Sequence, residues 1–265
     1  MRPLRDSVVA VTGASAGIGR ECALAFAREG AKVAVGARRR DRLDELVAEI
    51  ERAGGHAMAG AMDVGEEHDV QRFVDAAAAR FGRLDVLVNN AGYGIHGRVE
   101  ETPGAAFERL MRVNYLGTVY GCRAALPIMK RQGSGVIVNI SSIVGHRALP
   151  GGAAYAATKA AQISLTESLR VELRGTGIHV CSVHPISTVT EFHEVLSRES
   201  SGQVRPMGPR QSAAAVARAV VGCAKRPRPE VYPYLASRLI VWLNALSPRL
   251  ADWVAYQGAR RAGRL

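Results

Sequence analysis

Cysteine, aromatic residues and lysine are all scarce in this sequence of 265 residues. Its four cysteines lie far apart and none forms a C-x-x-C pair, which argues against a disulfide framework or a cysteine-based zinc site. The histidines match no metal-ligand spacing either. Aromatic residues make up only 5% of the chain, without the basic-aromatic pattern of an RNA- or DNA-binding module. We therefore expect no bound metal and no nucleic-acid partner.

Acidic residues are few, 24 Asp and Glu against 35 Lys and Arg, which gives a formal net charge of +11. Such an excess can indicate nucleic acid or an anionic membrane as a partner. Only four of the basic residues are lysines, and the arginines are spread along the chain. A solvated basic surface is therefore the simpler interpretation.

Long apolar runs are missing as well. No run approaches the roughly 20 residues needed to span a bilayer. The N-terminal MRPLRDSVVAVTG also lacks the apolar stretch of a signal peptide. We therefore expect a cytoplasmic protein without integral membrane segments.

What the sequence does contain is a regular alternation of apolar strands and amphipathic helices. Strand patterns begin at residues 7–12 and end at IHVCSVHP, and helices are predicted between them, among others over about 66–81, 103–131 and 152–174. Continuous apolar strands between such helices are typical of a parallel sheet covered on both faces. No shift in composition marks a boundary, so we predict an α/β chain with one domain over residues 1–265.

Later segments are less regular. The polar residues 186–211 are long enough to form a substrate lid, and the prolines of RPRPEVYPY confine any strand there to a sheet edge. The tail, residues 235–265, carries both tryptophans, and Pro248 should divide it into two short helices. Its apolar stripe can cover a pocket, pack on a neighbouring subunit or lie on an anionic membrane. We expect pocket or subunit packing over residues 235–256, with at most peripheral membrane contact.

Three glycines, Gly13, Gly17 and Gly19, occupy the turn between the first strand and the first helix. Glycines there allow a tight turn and a close approach of the backbone to a pyrophosphate, whose charge the helix N-terminus stabilises. At the end of the second strand, Arg38 and Arg39 stand where an NAD-binding protein usually has an acidic residue. Guanidinium groups can pair with a 2′-phosphate. The predicted cofactor is therefore NADP(H).

Several motifs together resemble those of the short-chain dehydrogenase/reductase family: TGASAGIG, Asp63-Val64, NNAG at 89–92, Asn114, ISS at 140–142 and YAATK at 155–159. The resemblance implies a Rossmann-like, doubly wound parallel sheet of about seven strands, and a homodimer or homotetramer. It implies a catalytic tetrad of Asn114, Ser142, Tyr155 and Lys159. It assigns cofactor contacts to Gly13, Ser15, Gly17, Ile18, Gly19, Arg38, Arg39, Asp63, Val64, Asn90, Ala91, Gly92, Tyr155, Lys159, Pro185, Thr188 and Thr190.

Tyr155 and Lys159 stand four residues apart among alanines, so a helix presents both side chains on one face. A phenol with a pKa of about 10 is a poor acid or base near neutrality unless its anionic form is stabilised, and the ammonium group of Lys159 can stabilise it. Ser142 can hydrogen-bond the substrate oxygen as charge develops. We expect Asn114 to anchor a water that relays protons to Lys159.

These roles predict an NADP(H)-dependent oxidoreductase that interconverts a carbonyl and a primary or secondary alcohol, with Tyr155 as general acid and base. Mostly apolar neighbours, such as Ile95 and Ile143, favour a small-to-medium hydrophobic substrate. Two alternatives stay open: a dinucleotide-sensing protein without turnover, and a membrane-surface reductase of a lipid or steroid-like substrate. Ile186 replaces the glycine that the family usually has after the proline at 185, so a stiffer entry to the lid is expected.

Overall fold

Seven parallel strands form the central sheet of the computed structural model, which describes residues 3–198, 200 and 208–261. Their order is β3-β2-β1-β4-β5-β6-β9, so the sheet reverses its direction of winding between β1 and β4. The nine strands of the described chain are β1 (Val8–Thr12), β2 (Lys32–Ala37), β3 (His56–Ala61), β4 (Val86–Asn89), β5 (Gly135–Ile140), β6 (Ile178–Val183), β7 (Thr188–Val189), β8 (Gln211–Ser212) and β9 (Glu230–Val231). The Rossmann-like fold is therefore confirmed. Its reversal point is where such sheets bind their ligands, beyond the carboxyl ends of the strands.

Helices cover both faces of the sheet. They are α1 (Gly17–Arg28), α2 (Arg40–Arg52), α3 (Glu67–Phe81), α4 (Gly104–Leu110), α5 (Gly117–Gln132), α6 (Ala153–Glu172), α7 (Phe192–Arg198), α8 (Ala213–Lys225), α9 (Arg238–Leu246) and α10 (Pro248–Arg261). On β1, Val9 and Val11 pack towards α1, α2 and α8, whereas Val8 and Ala10 pack towards α3, α5 and α6. This alternation explains why the inner strands β1, β4 and β5 are fully buried, because each of their faces lies under a helical layer, whereas the edge strand β3 is partly exposed.

The helix predicted over about 103–131 is present, but a π-helical segment, Met111–Leu116, separates α4 from α5. Asn114 lies in this segment and is fully buried. Single π-helical turns inside α-helices are frequent at functional sites. Composition and periodicity gave no sign of this turn, since its residues follow an ordinary helical pattern.

The carboxyl-terminal third contains the irregular elements. Within the predicted lid, β7 and β8 form a short parallel pair and α7 lies between them, while residues 199 and 201–207 lie outside the described part. The proline-rich segment supplies the edge strand β9, which pairs with β6. Pro248 begins α10, so the tail forms two helices as expected. Within the described residues, every helix is too short or too polar to cross a membrane.

Candidate active site

The glycine-rich turn after β1 is held against the end of β4 by hydrogen bonds. The side-chain amide of Asn90 donates to the carbonyl oxygens of Thr12 (3.0 Å) and Gly13 (3.2 Å). The hydroxyl of Thr12 accepts from the backbone N–H groups of Asn90 and Ala91. Gly13 has a φ of +66°, and a Cβ there would lie 2.7 Å from the Cα of Ala91. Only glycine therefore fits this turn without strain.

The same turn forms one side of a groove that fits a dinucleotide. Gly17, with φ +57°, opens α1, and a Cβ there would lie 3.0 Å from the Cγ2 of Thr190 on the opposite side. A cradle this narrow, with the N-terminus of α1 at its base, suits a pyrophosphate. Asp63 lies beyond β3, where its Oδ1 accepts from the N–H of Gly65 at 2.9 Å. The residues present therefore fit the nicotinamide dinucleotide that the sequence predicts.

The two predicted phosphate-binding arginines differ in their surroundings. The side chain of Arg38 is 77% exposed, and its guanidinium lies 4.0 Å from the Asp63 carboxylate. Arg39 donates to the hydroxyl of Ser15 (3.0 and 3.2 Å) and forms a 2.9 Å ion pair with Glu191. Sequence reasoning did not identify Glu191, because this residue is distant in the chain and carries no motif. Its carboxylate competes with any phosphate for Arg39.

The predicted catalytic side chains meet at the carboxyl ends of β5 and β6. Ser142 follows β5, is 9% exposed, and donates to the carbonyl of Pro185 at 3.4 Å. Tyr155 and Lys159 project from the first turns of α6, with the Lys159 Nζ 5.6 Å from the centre of the Tyr155 ring. Burial raises the pKa of Tyr155, and a hydrogen bond with the Ser142 side chain partly counteracts this rise. The phenol is thus a protonated acid beside a serine and a lysine.

Lys159 is only 4% exposed, and burial lowers its pKa to about 7. Its Nζ donates to the carbonyl of Ile140 (2.8 Å) and to the Oε1 of Gln162 (2.9 Å). The Nε2 of Gln162 in turn donates to the carbonyl of Asn114 (2.7 Å) and the hydroxyl of Thr118 (2.6 Å). Gln162 therefore links Lys159 to Asn114 through two hydrogen bonds.

The side chain of Asn114 makes further hydrogen bonds, and the water expected at this residue stays a prediction. The Nδ2 of Asn114 donates to the Tyr93 carbonyl (2.9 Å) and to the Thr158 hydroxyl (3.0 Å), and its Oδ1 accepts from the Tyr93 N–H (3.0 Å). Its side chain thus fixes the loop after β4 against α6, and its carbonyl is occupied by a glutamine amide. Sequence reasoning missed Gln162, although its position three residues after Lys159 on the same helix was a usable signal.

One cavity of about 900 Å³ brings nearly all predicted site residues together. It runs from the glycine-rich turn, past Arg38 and Asp63, to Ser142, Tyr155 and Lys159. Two predicted residues lie behind its wall: Gly19 packs against Gly13 and Asn90, and Asn114 is fully buried. Beyond Tyr155 the wall is largely apolar and includes the tail side chains Ile240, Leu243, Ala251, Val254 and Ala255. The tail therefore covers part of the cavity.

A cluster of polar side chains lies beside the site without facing it. The ring of His184 is fully buried, stacks on Tyr232 and lies 4.5 Å from the ring of His146. Burial and the neighbouring His146 lower the pKa of His184 to about 3. Candidate ligand atoms of His146, His184 and Glu230 lie within 4.8 Å of one another. The Tyr232 hydroxyl forms hydrogen bonds with His146 (3.2 Å) and Glu230 (2.8 Å). Two of the three candidate metal ligands therefore already have a hydrogen-bond partner.

Comparison with known proteins gives consistent results. A sequence model described as short chain dehydrogenase matches residues 7–201. The uncharacterized oxidoreductase YxnA of Bacillus subtilis is 34% identical over 259 residues, which cover 95% of this chain and 72% of that protein.

Solved structures also resemble the chain. A short chain dehydrogenase/reductase from Burkholderia phymatum in complex with NAD has a TM-score of 0.87 at 26% identity, covering 94% of this chain and 96% of that one. An alcohol dehydrogenase from Thermococcus sibiricus complexed with 5-hydroxy-NADP has a TM-score of 0.75 at 31% identity, covering 85% and 95%. Both solved structures thus hold nicotinamide dinucleotides in chains of this fold.

Proposed function

Because the chain belongs to the short-chain dehydrogenase family and is an NAD(P)-dependent oxidoreductase, we propose that it uses NADP(H) to interconvert hydrophobic carbonyl compounds and their alcohols. The observation that carries the proposal is the convergence of Ser142, Tyr155 and Lys159 on one cavity that continues into a glycine cradle. The wall beyond Tyr155 supports a small-to-medium apolar substrate, since it offers mainly aliphatic side chains.

Tyr155 transfers the proton in this proposal, and Ser142, Lys159 and Gln162 support that transfer. When bound, the cofactor supplies a hydride to the carbonyl carbon or accepts one from the alcohol carbon. The Tyr155 phenol donates its proton to the substrate oxygen, and the Ser142 hydroxyl hydrogen-bonds the same oxygen. The Lys159 ammonium stabilises the phenolate that remains. Gln162 holds Lys159 in place through its 2.9 Å hydrogen bond. Alcohol oxidation reverses each proton transfer.

The preference for NADP(H) rests on Arg38 and Arg39. Both line the cavity just beyond β2, and the Arg38 side chain is largely exposed, so a 2′-phosphate could bind there with little rearrangement. Arg39 would exchange its bond to Glu191 for one to the phosphate. Around the rest of the dinucleotide we place the cradle residues Gly13, Ser15, Gly17 and Ile18, with Thr188 and Thr190 opposite.

The test is a measurement of NADPH and NADH oxidation over aliphatic, aromatic and steroid-like ketones of increasing size. The proposal predicts turnover with NADPH on at least one apolar class, and loss of that turnover in Tyr155→Phe. NADPH binding without turnover on any member would indicate the dinucleotide-sensing alternative instead. A preference for NADH would overturn the role of the two arginines while leaving the oxidoreductase assignment intact.

We also propose that the protein is a homodimer or homotetramer in the cytoplasm. The family resemblance supports the assembly. Light scattering of the purified chain measures its size, and a monomeric mass would contradict it. Fractionation of cells that express the chain tests the location, with an exported product as the contradicting result.

A further inference from the structure

Most of the exposed large apolar side chains of the described chain lie on α9, α10 and the short segment just before them. In the described part of the chain, ten of the thirteen exposed large hydrophobic residues lie between residues 234 and 256. Leu246 is 87% exposed, and Trp242 and Trp253 are 56% and 60% exposed. Because soluble proteins rarely expose apolar patches unless the patch binds something, this concentration indicates an interaction surface.

On α9 the apolar residues occupy two faces. Ile240, which is 44% exposed, and Leu243 line the cavity. Leu239, Trp242 and Leu246 follow at spacings of three and four residues, so they share another face, and all three are more than half exposed. The cavity-lining pair explains why the helix packs where it does. It leaves the outward set without a role in the described fold.

On α10 the division is between a buried alanine stripe and an exposed face. Ala251, Ala255 and Ala259 recur every four residues and are buried. The opposite face carries Leu250 and Trp253, 47% and 60% exposed. A surface helix normally has polar residues opposite its buried stripe, whereas α10 has large apolar residues there.

Arginines surround these apolar faces. The guanidinium of Arg238 lies 5.6 Å from the Trp242 ring, and that of Arg260 lies 5.7 Å from the Tyr256 ring. The only acid of the two helices, Asp252, is paired with Arg147 at 2.7 Å. The surface is therefore apolar and aromatic with a positively charged rim, which is the composition of helices that lie in the interface of an anionic bilayer.

We propose that the outward faces of α9 and α10 dock on an anionic lipid surface. Leu239, Trp242, Leu246 and Trp253 enter the headgroup region, and the arginines contact the lipid phosphates. A second copy of the chain fits this surface less well, because a two-fold interface would bring two arginine-rich surfaces together, and the one acid of these helices, Asp252, is already paired with Arg147. The net charge of +11 favours the lipid partner further.

Sedimentation of the full-length protein with vesicles tests the proposal. The vesicles contain either phosphatidylcholine alone or equal parts of phosphatidylcholine and phosphatidylglycerol. The wild type should sediment with the anionic vesicles and stay in solution with the neutral ones. Raising the salt concentration should release it, because the arginine contribution is screened.

Three variants identify the contacts. Trp242→Ser, Leu246→Ser and Trp253→Ser combined should lower the partition coefficient at least about tenfold, since three exposed apolar anchors are removed. Arg249→Gln, Arg260→Gln and Arg261→Gln combined should weaken binding to anionic vesicles in the same direction. Val99→Ser is the matched control: Val99 is 62% exposed, lies outside the tail, and should leave binding unchanged. Thermal unfolding of each variant verifies its fold.

Two results would overturn the proposal. One is a wild type that fails to sediment with anionic vesicles, or a triple serine variant that sediments with them as well as the wild type does. The other is a serine variant whose mass in light scattering falls below that of the wild type, which would identify a second copy as the partner. Because vesicle binding needs no turnover, Tyr155→Phe should bind as the wild type does. Failure of the docking proposal and failure of the proposed reaction are therefore distinguishable.

Discussion

The floor and the cap of the cavity are built in opposite ways. At the floor, Asn114, Lys159 and Gln162 are almost fully buried and joined by hydrogen bonds of 2.6 to 3.0 Å that also include Thr118 and Thr158. In the cap, formed by α9 and α10, the only buried residues are three alanines of α10, and α9, described throughout, has none. A bonded floor fixes the geometry of proton transfer, whereas a loosely packed apolar cap adapts to the shape of its ligand. Substitutions in the two regions should therefore affect different kinetic constants.

The largest effect is expected from Tyr155→Phe, at the phenol that lies beside Lys159 of the floor. The substitution removes the proton donor and should lower kcat by about a hundred- to ten-thousandfold, while NADPH affinity stays nearly unchanged. Tyr93→Phe is the matched control, because Tyr93 lines the same cavity and should retain most of the activity. Steady-state kinetics and NADPH titration measure both quantities. Retained activity in Tyr155→Phe would contradict the mechanism.

The next largest effect is expected where Arg38 and Arg39 line the cavity beyond β2. Arg38→Ala combined with Arg39→Ala should lower the affinity for NADPH far more than the affinity for NADH. Each charge-assisted bond is worth about 1.5 to 3 kcal/mol. Glu191→Gln should act in the opposite sense, because it frees Arg39 from its 2.9 Å ion pair. Arg42→Ala, an exposed arginine of α2, is the control. Fluorescence titration with each dinucleotide measures the affinities, and equal losses for both would place the phosphate elsewhere.

Gln162→Leu tests whether the bonded floor sets the protonation of Lys159. Burial already lowers the pKa of Lys159 to about 7, so its ammonium form predominates only below that pH. Loss of the Gln162 acceptor disfavours the charged form and should lower this pKa further. Because the ammonium stabilises the phenolate, the rate of ketone reduction should fall with rising pH, and this fall should move to lower pH in the variant.

The matched control for Gln162→Leu is Thr118→Val. It removes the 2.6 Å bond to Gln162 but leaves the bond between Gln162 and Lys159. Both variants should lose about 1 to 3 kcal/mol of unfolding free energy, since each leaves a buried polar group unpaired. Only Gln162→Leu should move the pH profile. An identical profile in all three proteins would show that Gln162 has a purely structural role.

The smallest effect is expected in the cap, from Leu243→Ala. The shortened side chain removes apolar contact from the cavity wall and should raise KM for a bulky ketone about fivefold, on the order of 1 kcal/mol, with little change in kcat. Leu239→Ala, on the outward face, should change neither constant. A fall in kcat for Leu243→Ala would remove the proposed distinction between floor and cap.

Local sequence patterns predicted the sheet well because its inner strands are buried on both faces and the glycine-rich turn after β1 permits few alternative conformations. Gly13 was identifiable from its place in the turn between the first strand and the first helix. Tyr155 and Lys159 were identifiable because their spacing of four residues puts both side chains on one face of a helix. Pro248 marked the boundary of the tail helices in the same local way. Such features need no knowledge of distant contacts.

Features that depend on distant parts of the chain were not predictable. The ion pair between Arg39 and Glu191 joins residues 152 positions apart, and the bond from Gln162 to the Asn114 carbonyl spans 48 positions. The bonds of Gln162 to Asn114 and Thr118 became visible only once the π-helical segment and α5 were placed beside α6. The water expected at Asn114 stays a prediction, and the carbonyl of this residue accepts the Gln162 amide at 2.7 Å.

The π-helical segment Met111–Leu116 changes the direction in which side chains project along the continuous helix formed by α4, this segment and α5. A π-helical turn holds about one residue more than an α-helical turn, so the side chains that follow it are rotated relative to those before it. Before this segment, Leu110 packs with Ile95 and Ala154 beside the cavity, and after it Cys122 and Ala125 pack in the main core under the sheet. One continuous helix can thereby belong to two separate cores. The register of this helix therefore links the position of the loop after β4, which carries Ile95, to the packing of the sheet.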